Sequence, residues 1–249
     1  DQALSLGASY VIYDEEKLNH ISEKAIKVKN ALETLQYLAK YHRSKFKIPV
    51  IGLTGSNGKT TSKELINSVL SQKFSVTSTA NNFNNHIGVP LTILEINRKT
   101  DLAIIEMGAN HLGEIDLLCT ISDPTIGYIT NFGKAHLEGF GGLKGVIKGK
   151  CELYEYIKQK KGIVLVNNDD SIQKEKSIGI KTFSFGKSKK SNYLTLNTIS
   201  KKNFCEASLN NKKITSNLYG EYNFENINAS IAIGIKFSLI FEQIKNGIK

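Results

Sequence analysis

The 249-residue sequence predicts an α/β fold, in which helices flank a mainly parallel sheet and a small antiparallel sheet lies near the C-terminal end. Between residues 48 and 166, apolar segments of strand length alternate with segments of helical periodicity, as in parallel sheets covered on both faces. A Gly-rich stretch, Thr54-Gly55-Ser56-Asn57-Gly58-Lys59-Thr60-Thr61, separates the first strand from its helix, which indicates a P-loop-type sheet. Beyond residue 180, short apolar segments divided by Lys, Asn and Ser predict the antiparallel strands.

The first 46 residues predict too little structure to fold alone. A short strand at residues 10–13 precedes a helix at about residues 30–43. The apolar stripe predicted for this helix consists of Ala31, Leu32, Leu35, Leu38 and Ala39. We therefore interpret residues 1–46 as the end of a preceding domain and residues 47–249 as the domain that follows it.

The remaining elements follow in chain order. The strand before the Gly-rich stretch carries Ile48, Val50, Ile51 and Leu53. Further strands of the main sheet are predicted at residues 74–77, 102–106, 125–129 and 162–166. Helices are predicted directly after the Gly-rich stretch, at about residues 111–121 and at residues 143–157. The predicted antiparallel strands are residues 182–185, 193–199, 204–209 and 214–218, and a last helix spans about residues 224–241.

The Gly-rich stretch has the residues of a phosphate cradle. Backbone N–H groups and the positive end of the helix dipole would face an anion, and Gly55 and Gly58 would allow close approach. Lys59 could reach terminal phosphates, and the Thr60 hydroxyl could bind Mg²⁺. The strict pattern requires Gly where Leu53 stands, so the match is to a variant. An ordinary strand-to-helix turn is the alternative, but the Gly-Lys-Thr context favours a nucleoside triphosphate site.

Three further side chains are candidates for chemistry. Glu106 ends an apolar strand, where P-loop enzymes place an acid because Mg²⁺ needs hard oxygen ligands; a solvated strand end is the alternative. His136 lies in a Gly-rich segment after a strand, but a single His is more often structural. The spacing of residues around Lys150 gives no sign that it differs from an ordinary surface lysine.

The formal net charge of +10 raises the possibility of a nucleic-acid partner. The small lysine clusters have no interleaved aromatic residues of the kind that stack on bases, so we expect none. No apolar run approaches the roughly 18 to 20 residues that span a bilayer, and no signal-peptide pattern opens the sequence. The cysteines, Cys119, Cys151 and Cys205, are odd in number and lack metal-type spacing. We expect a cytoplasmic monomer without membrane insertion.

Five blocks of the sequence resemble the Mur ligases, ATP-dependent amide ligases that build the peptidoglycan stem peptide. The blocks are residues 54–61, 81–90, 106–111, 135–142 and 220–226. The similarity runs in order from about residue 3 to the end. The third and fourth blocks are most similar to the members that add D-alanyl-D-alanine to UDP-N-acetylmuramoyl-tripeptide, which the resemblance implies as the two substrates.

The resemblance also implies roles for individual residues. It places Lys59 at the ATP phosphates, Thr60 and Glu106 at one Mg²⁺, and His136 at a second Mg²⁺. It implies that CO₂ carbamylates Lys150, which would convert a cation into a carboxylate-like metal ligand.

The resemblance assigns the remaining residues to the nucleotide and the peptide. Asn82 and Asn85 would lie in the loop that faces the substrate peptide. The residues implied at the nucleotide are Gly55, Ser56, Asn57, Gly58, Lys59, Thr60, Thr61, Asn223 and Asn226, of which the two Asn would lie by adenine.

Family members have three domains, and this sequence corresponds to the end of the first and to the central one. We therefore expect the 249 residues by themselves to bind ATP weakly and to form no amide. A sister ligase that adds a diamino acid to the dipeptide, or glutamate to a folate, is one alternative. The diamino-acid enzymes tend to carry an Asp and a Tyr-His pair at residues 137–140, where this chain has Leu-Glu-Gly-Phe. A nucleotide-binding module without ligase activity is the other alternative.

Overall fold

The computed structural model describes residues 2–15, 22–134, 136–200 and 202–249. The strands are β1 (Val11–Tyr13), β2 (Ala25–Lys27), β3 (Val50–Thr54), β4 (Val76–Ser78), β5 (Leu102–Glu106), β6 (Ile126–Ile129), β7 (Ile163–Asn167), β8 (Lys181–Gly186), β9 (Tyr193–Leu194), β10 (Asn197–Ile199), β11 (Phe204–Leu209) and β12 (Lys212–Tyr219). The α-helices are α1 (Gln2–Ser5), α2 (Ala31–Ser44), α3 (Lys59–Leu70), α4 (Gly88–Leu94), α5 (Glu114–Ser122), α6 (Leu137–Phe140), α7 (Leu143–Gln159), α8 (Ser171–Lys176), α9 (Phe224–Lys236) and α10 (Phe241–Ile248). A 3₁₀ turn, Glu221–Asn223, precedes α9.

The main sheet confirms the predicted α/β fold. In the described part of the chain, seven strands pair in the order β4-β5-β3-β6-β7-β8-β9, and each pair is parallel. All five residues of β3 are buried, and so are all five of β5, because helices cover both faces of a parallel sheet. The carboxyl ends of β3, β5 and β6 therefore meet at one edge, where the loops that follow them lie side by side.

Two apolar clusters lie on opposite faces of this sheet. One packs β3 residues such as Ile51 and Leu53 against α3, α9, α10 and the small sheet. The other packs residues such as Val50 and Ile105 against α2, α4, α5 and α7. Neighbouring residues of one strand enter different clusters because their side chains alternate between faces. Helix α3 is thereby held firmly behind the end of β3.

The predicted antiparallel sheet is correct in part. Strands β10, β11 and β12 form it, with antiparallel pairing throughout. The segment predicted at residues 182–185 is instead β8, which pairs parallel with β7, and β9 extends the same parallel sheet. The short helix α8 makes the crossover that parallel pairing requires. Its sequence, Ser-Ile-Gln-Lys-Glu-Lys, has a single apolar residue and so gave no periodic signal.

The last predicted helix, at about residues 224–241, ends earlier than predicted, and a second helix that was not predicted follows it. Helix α9 ends at Lys236, and α10 begins at Phe241. Between them Ser238 adopts φ 56°, a left-handed conformation that ends helical propagation. The turn lets α10 fold back onto α3, where Gly247 packs against the backbone of Val69.

Helix α2 forms where it was predicted, but its buried stripe is narrower. Asn30 caps its N-terminus by accepting a hydrogen bond from the Glu33 N–H. Ala39 is buried, whereas Leu32 and Leu38 are 36% and 45% exposed. The helix contacts α4 and α5 rather than a wide surface, so one narrow face is covered. The division at residues 46 and 47 remains a prediction.

No helix within the described ranges is both long and apolar enough to cross a membrane.

Candidate nucleotide and metal site

The phosphate loop connects β3 to α3 through two glycines with positive φ. Gly55 has φ 152° and Gly58 has φ 74°. A Cβ at Gly55 would overlap the hydroxyl oxygen of Thr130, and a Cβ at Gly58 would lie 2.6 Å from Asn226 Oδ1. Glycine is therefore required at both positions by space as well as by backbone conformation.

Residues after β6 hold the loop in place. The Thr130 hydroxyl donates to the Asn57 carbonyl oxygen at 2.6 Å. The Asn131 side chain bonds both backbone groups of Asn57: its Oδ1 accepts from N–H at 3.1 Å, and its Nδ2 donates to the carbonyl at 2.9 Å. Ser56 Oγ donates to the Gly133 carbonyl at 2.9 Å. Sequence analysis missed Thr130 and Asn131, whose one signal is that polar residues follow an apolar strand.

Lys59 begins α3 and turns back over the loop. Its Nζ donates to the carbonyl oxygen of Gly55 at 3.0 Å and to that of Ser56 at 3.4 Å. Burial lowers the pKa of Lys59, and the nearby Glu106 carboxylate opposes that shift. The ammonium group therefore lies directly above the loop, where an anion on the backbone N–H groups would meet it.

Glu106 lies at the end of β5 and is 1% exposed. Its Oε1 accepts hydrogen bonds from Thr60 Oγ1 at 3.3 Å and from Asn84 Nδ2 at 2.9 Å. Its Oε2 is buried and has no hydrogen-bond partner among the described residues. A buried anionic oxygen without a partner is costly, and it is a hard ligand of the kind that Mg²⁺ prefers. These residues therefore fit a magnesium ion beside the phosphate loop.

The asparagines of the segment before α4 differ in their contacts. Asn84, which sequence analysis did not select, contacts Glu106 and lies close enough to Gly108 that a Cβ there would be 2.8 Å from Asn84 Oδ1. Asn85 Oδ1 accepts from the N–H groups of Ile87 and Gly88 at the start of α4. Asn82 is exposed, and its carbonyl accepts from the Asn84 N–H. Because four asparagines are clustered around Phe83, the sequence did not indicate which of them contacts Glu106.

A cavity of about 490 Å³ opens beside Lys59 at this edge of the sheet. Its lining includes Lys59, Asn84, Asn85, His86, Asn110 and His136. Three of the predicted site residues, Lys59, Asn85 and His136, therefore surround one space. His86 and Asn110 are additional polar groups that sequence analysis did not select.

His136 and Lys150 occupy different environments. His136 is exposed and adopts φ 55° immediately before α6, and its neighbour Ala135 lies outside the described residues. Lys150, on α7, is 2% exposed, and its Nζ lies 5.8 Å from the centre of the Phe140 ring. Burial, with a smaller contribution from the charge of Lys59, lowers the pKa of Lys150 to about 8. Lys150 thus lies close enough to Lys59 for the charge of Lys59 to lower its pKa, although Lys150 does not line the cavity.

Asn223 and Asn226 adjoin the first turn of α3 from the C-terminal part of the chain. Asn226 Oδ1 accepts from Ser62 Oγ at 2.8 Å, and Asn226 Nδ2 donates to Asn223 Oδ1 at 2.9 Å. Asn223 Nδ2 in turn donates to the Tyr219 carbonyl at 2.8 Å. The pair therefore lies beside the phosphate loop.

Within the described ranges, no three His, Cys, Asp or Glu side chains are grouped so as to hold a metal ion by themselves. A magnesium ion at Glu106 would need oxygen ligands from elsewhere, which nucleotide phosphates and water supply in many enzymes.

Comparison with known proteins identifies the family. Residues 53–234 match the model of the Mur ligase middle domain. The chain belongs to the Mur ligase family.

Several curated relatives carry one name, UDP-N-acetylmuramoyl-tripeptide--D-alanyl-D-alanine ligase. The Bacillus subtilis protein is 32% identical over 260 residues, which cover 100% of this chain and 54% of the relative. The Haemophilus influenzae protein is 35% identical over 264 residues, which cover 100% of this chain and 56% of the relative. The chain thus spans about half the length of these relatives.

Solved structures agree with this assignment. MurF from Acinetobacter baumannii superposes with a TM-score of 0.86 at 29% identity, over 99% of this chain and 55% of that chain. The MurF ligase from Thermotoga maritima in complex with ADP superposes with a TM-score of 0.81 at 29% identity, over 96% of this chain and 56% of that chain.

Proposed function

We propose that this chain carries the ATP site of an amide ligase that joins D-alanyl-D-alanine to UDP-N-acetylmuramoyl-tripeptide during peptidoglycan synthesis in the cytoplasm. The observation that carries the proposal is the buried Glu106 Oε2, without a described partner, beside the phosphate loop and the Thr60 hydroxyl. The names of the relatives in B. subtilis and H. influenzae support the substrates. The ADP complex of the T. maritima neighbour supports the nucleotide.

The reaction would proceed in two displacements through an acyl phosphate. A carboxylate oxygen of the tripeptide attacks the γ-phosphorus of ATP, and ADP leaves. The amine of D-alanyl-D-alanine then attacks the acyl carbon, the amide bond forms, and phosphate leaves as the nitrogen loses a proton. The protein need not supply a nucleophile, so catalysis comes from alignment and charge stabilisation. Lys59, above the loop carbonyls, would turn to the terminal phosphates.

Thr60 and Glu106 would hold one Mg²⁺ through a hydroxyl and a carboxylate oxygen. His136 and a carbamylated Lys150 would hold a second. Such ions neutralise charge on a migrating phosphoryl group.

The roles of Asn223 and Asn226 at adenine, and of Asn82 and Asn85 at the peptide, belong to the same proposal. The Ser62–Asn226 contact supports the former, and the cavity position of Asn85 supports the latter.

The environment of Lys150 supports carbamylation. In this reaction the neutral amine attacks the carbon of CO₂, an N–C bond forms, and the nitrogen releases a proton to water. With a pKa of about 8, roughly a tenth of the amine is neutral at pH 7, against less than a thousandth for a lysine of ordinary pKa. The carbamate would also replace the repulsion between Lys150 and Lys59 with attraction.

Nucleotide binding is tested first, with Lys59→Ala and with Lys73→Ala as the control. Lys73 also donates to a backbone carbonyl, that of Ser238, but it lies beyond the far end of α3. Loss of a charge-assisted contact worth about 1.5–3 kcal/mol predicts an ATP affinity about 10- to 100-fold lower for Lys59→Ala, and an unchanged affinity for Lys73→Ala. Calorimetric titration with ATP and Mg²⁺ measures both. Equal affinities in the two variants would contradict the proposed phosphate site.

Substrate choice is tested in the longest natural polypeptide that carries this sequence. The assay offers UDP-N-acetylmuramoyl-tripeptide with D-alanyl-D-alanine, the dipeptide with a diamino acid, and a folate with glutamate. Amide formation with the first pair alone is expected. Product from another pair would identify a sister ligase, and ATP binding without any amide would identify a nucleotide-binding module.

A further inference from the structure

Lys63 is a buried lysine that the proposed mechanism does not use. It lies on α3, one turn beyond Thr60, and is 0% exposed. Its Nζ donates to the Thr79 carbonyl oxygen at 2.7 Å and pairs with Glu64 Oε1 at 2.6 Å. Burying an ammonium group is costly unless its charge is paired and hydrogen-bonded, so these contacts are what permit it to lie there.

Thr79 connects Lys63 to the carboxylate of the candidate metal site. Thr79 follows β4, a three-residue strand at the edge of the sheet, and is 1% exposed. Its N–H donates to the Ile104 carbonyl at 3.0 Å, and its hydroxyl oxygen accepts from the Glu106 N–H at 2.9 Å. A strand of three residues has few ladder bonds of its own to fix its end, so the contact from Lys63 holds the chain at the residue that follows the strand.

These contacts close a ring around Glu106. Thr60 contacts the Glu106 side chain, the Glu106 backbone contacts Thr79, and Thr79 accepts from Lys63. One turn of α3 joins Lys63 back to Thr60. The segment that starts at Thr79 also carries Asn84, the other donor to Glu106 Oε1. Movement of Thr79 would therefore disturb both the backbone and the side chain of Glu106.

We infer that Lys63 is a positioning residue for the magnesium ligand Glu106, acting through Thr79. By holding the end of β4 against α3, it keeps Oε1 bonded to Thr60 and Asn84, while Oε2 has no hydrogen-bond partner among the described residues. The inference rests on the proposed function, because it assigns a role only if Glu106 binds Mg²⁺ with a nucleotide. Lys63 itself need not touch the ion or the nucleotide.

The test measures how much Mg²⁺ strengthens ATP binding, as the ratio of the dissociation constant in EDTA to that in Mg²⁺. Residues that support a metal ligand typically contribute about 10- to 100-fold to metal affinity. We expect Lys63→Met to reduce the ratio by up to this factor while the affinity in EDTA is unchanged. Lys73→Met is the matched control, and Glu106→Gln sets the scale for loss of the ligand.

A second pair of variants breaks the ring at Thr79. Thr79→Val removes the hydroxyl acceptor with little change in shape and should reduce the ratio, whereas Thr79→Ser retains the hydroxyl and should preserve it. If Lys63→Met does not fold, this pair still tests the contact between Thr79 and Glu106 through which Lys63 would act. An unchanged ratio in folded Lys63→Met or in Thr79→Val would overturn the inference, as would an equal fall of affinity with and without Mg²⁺. Absence of ATP binding by the unsubstituted chain would instead overturn the proposed nucleotide site, and the inference with it.

Discussion

The phosphate loop, residues 54–61, and the segment at residues 136–150 approach the same cavity but are held in different ways. The loop is bonded to Thr130 and Asn131 after β6, and α3 behind it is bonded to Asn226. In the other segment, His136 is exposed with a left-handed backbone, and Lys150 is buried near a second cation.

The two regions differ in whether their geometry is already formed in the protein without a ligand. Distant parts of the chain fix the loop, so the nucleotide half has its geometry in the free protein. The Lys150 half contains a desolvated ammonium group repelled by Lys59, which is unfavourable for cation binding. We interpret the first half as preorganised, and the proposed carbamylation of Lys150 would complete the second.

The largest effect should follow from Lys150→Ala. If the carbamate is a metal ligand, ligation should fall by more than about 100-fold, the upper figure for residues that merely support such ligands. The assay uses the longest natural polypeptide that carries this sequence, with ATP, Mg²⁺ and both proposed substrates. Addition of a short carboxylic acid should restore part of the activity by occupying the vacated position. ATP affinity should change far less than it does in Lys59→Ala.

The modification itself is visible by ¹³C NMR of protein equilibrated with ¹³CO₂. A carbamate signal should be present in the unsubstituted chain and absent in Lys150→Gln. At fixed dissolved CO₂ the signal should increase as the pH rises towards the lowered pKa of about 8, because the neutral amine is the reacting form. Full activity of Lys150→Ala, or a signal retained in Lys150→Gln, would remove the distinction between the two halves.

A second comparison uses glycines with positive φ in each half. Gly55→Ala places a Cβ against Thr130 and should destabilise the protein by about 1–3 kcal/mol, as overpacking does, beyond any backbone strain. Gly141→Ala, at φ 71° with nothing within 4 Å of the added Cβ, should show the strain alone, about 1 kcal/mol. Urea unfolding measures both free energies. A smaller loss for Gly55→Ala than for Gly141→Ala would show that the loop is not closely packed.

A further test of the loop is Asn131→Ala. It removes two hydrogen bonds to Asn57, each worth about 0.5–1.5 kcal/mol, and should weaken ATP binding about 5- to 100-fold if the loop relaxes. Asn168→Ala is the matched control, because Asn168 directly follows the next strand, β7, and bonds Ser191 instead. If Asn131→Ala binds ATP as Asn168→Ala does, the loop does not depend on β6 for its shape.

The parts of the fold that sequence reasoning predicted are those with strong local patterns. The fully apolar strands and the Gly-rich turn were evident, and β5 was predicted at its observed bounds. The position of β8 was predicted, but its parallel pairing with β7 was not. Parallel pairing requires a crossover connection, and the helix that makes it, α8, has no apolar stripe by which the sequence could have indicated it. Ser238 ended α9 without a Gly or Pro to signal it.

The site shows the same limit at the level of side chains. The residues of the phosphate loop are contiguous, so one pattern predicted them together. Thr79 and Asn84 reach the site from one segment and Thr130 from another, and their contacts depend on how strands are ordered in the sheet. The assignments of these residues to nucleotide, peptide and metal remain predictions.

The hydrogen bond between Ser62 and Asn226 joins residues 164 positions apart in the sequence. During translation, the phosphate loop and α3 are therefore synthesised long before Asn226, which packs beside them. An incompletely folded chain lacks this contact, so ATP at the proposed site should select the finished fold over incompletely folded chains. At a free ATP concentration of 100 times the dissociation constant, such selection stabilises the native state by about 2.7 kcal/mol. Cellular ATP would then act as a late folding ligand, protecting completed chains from proteolysis.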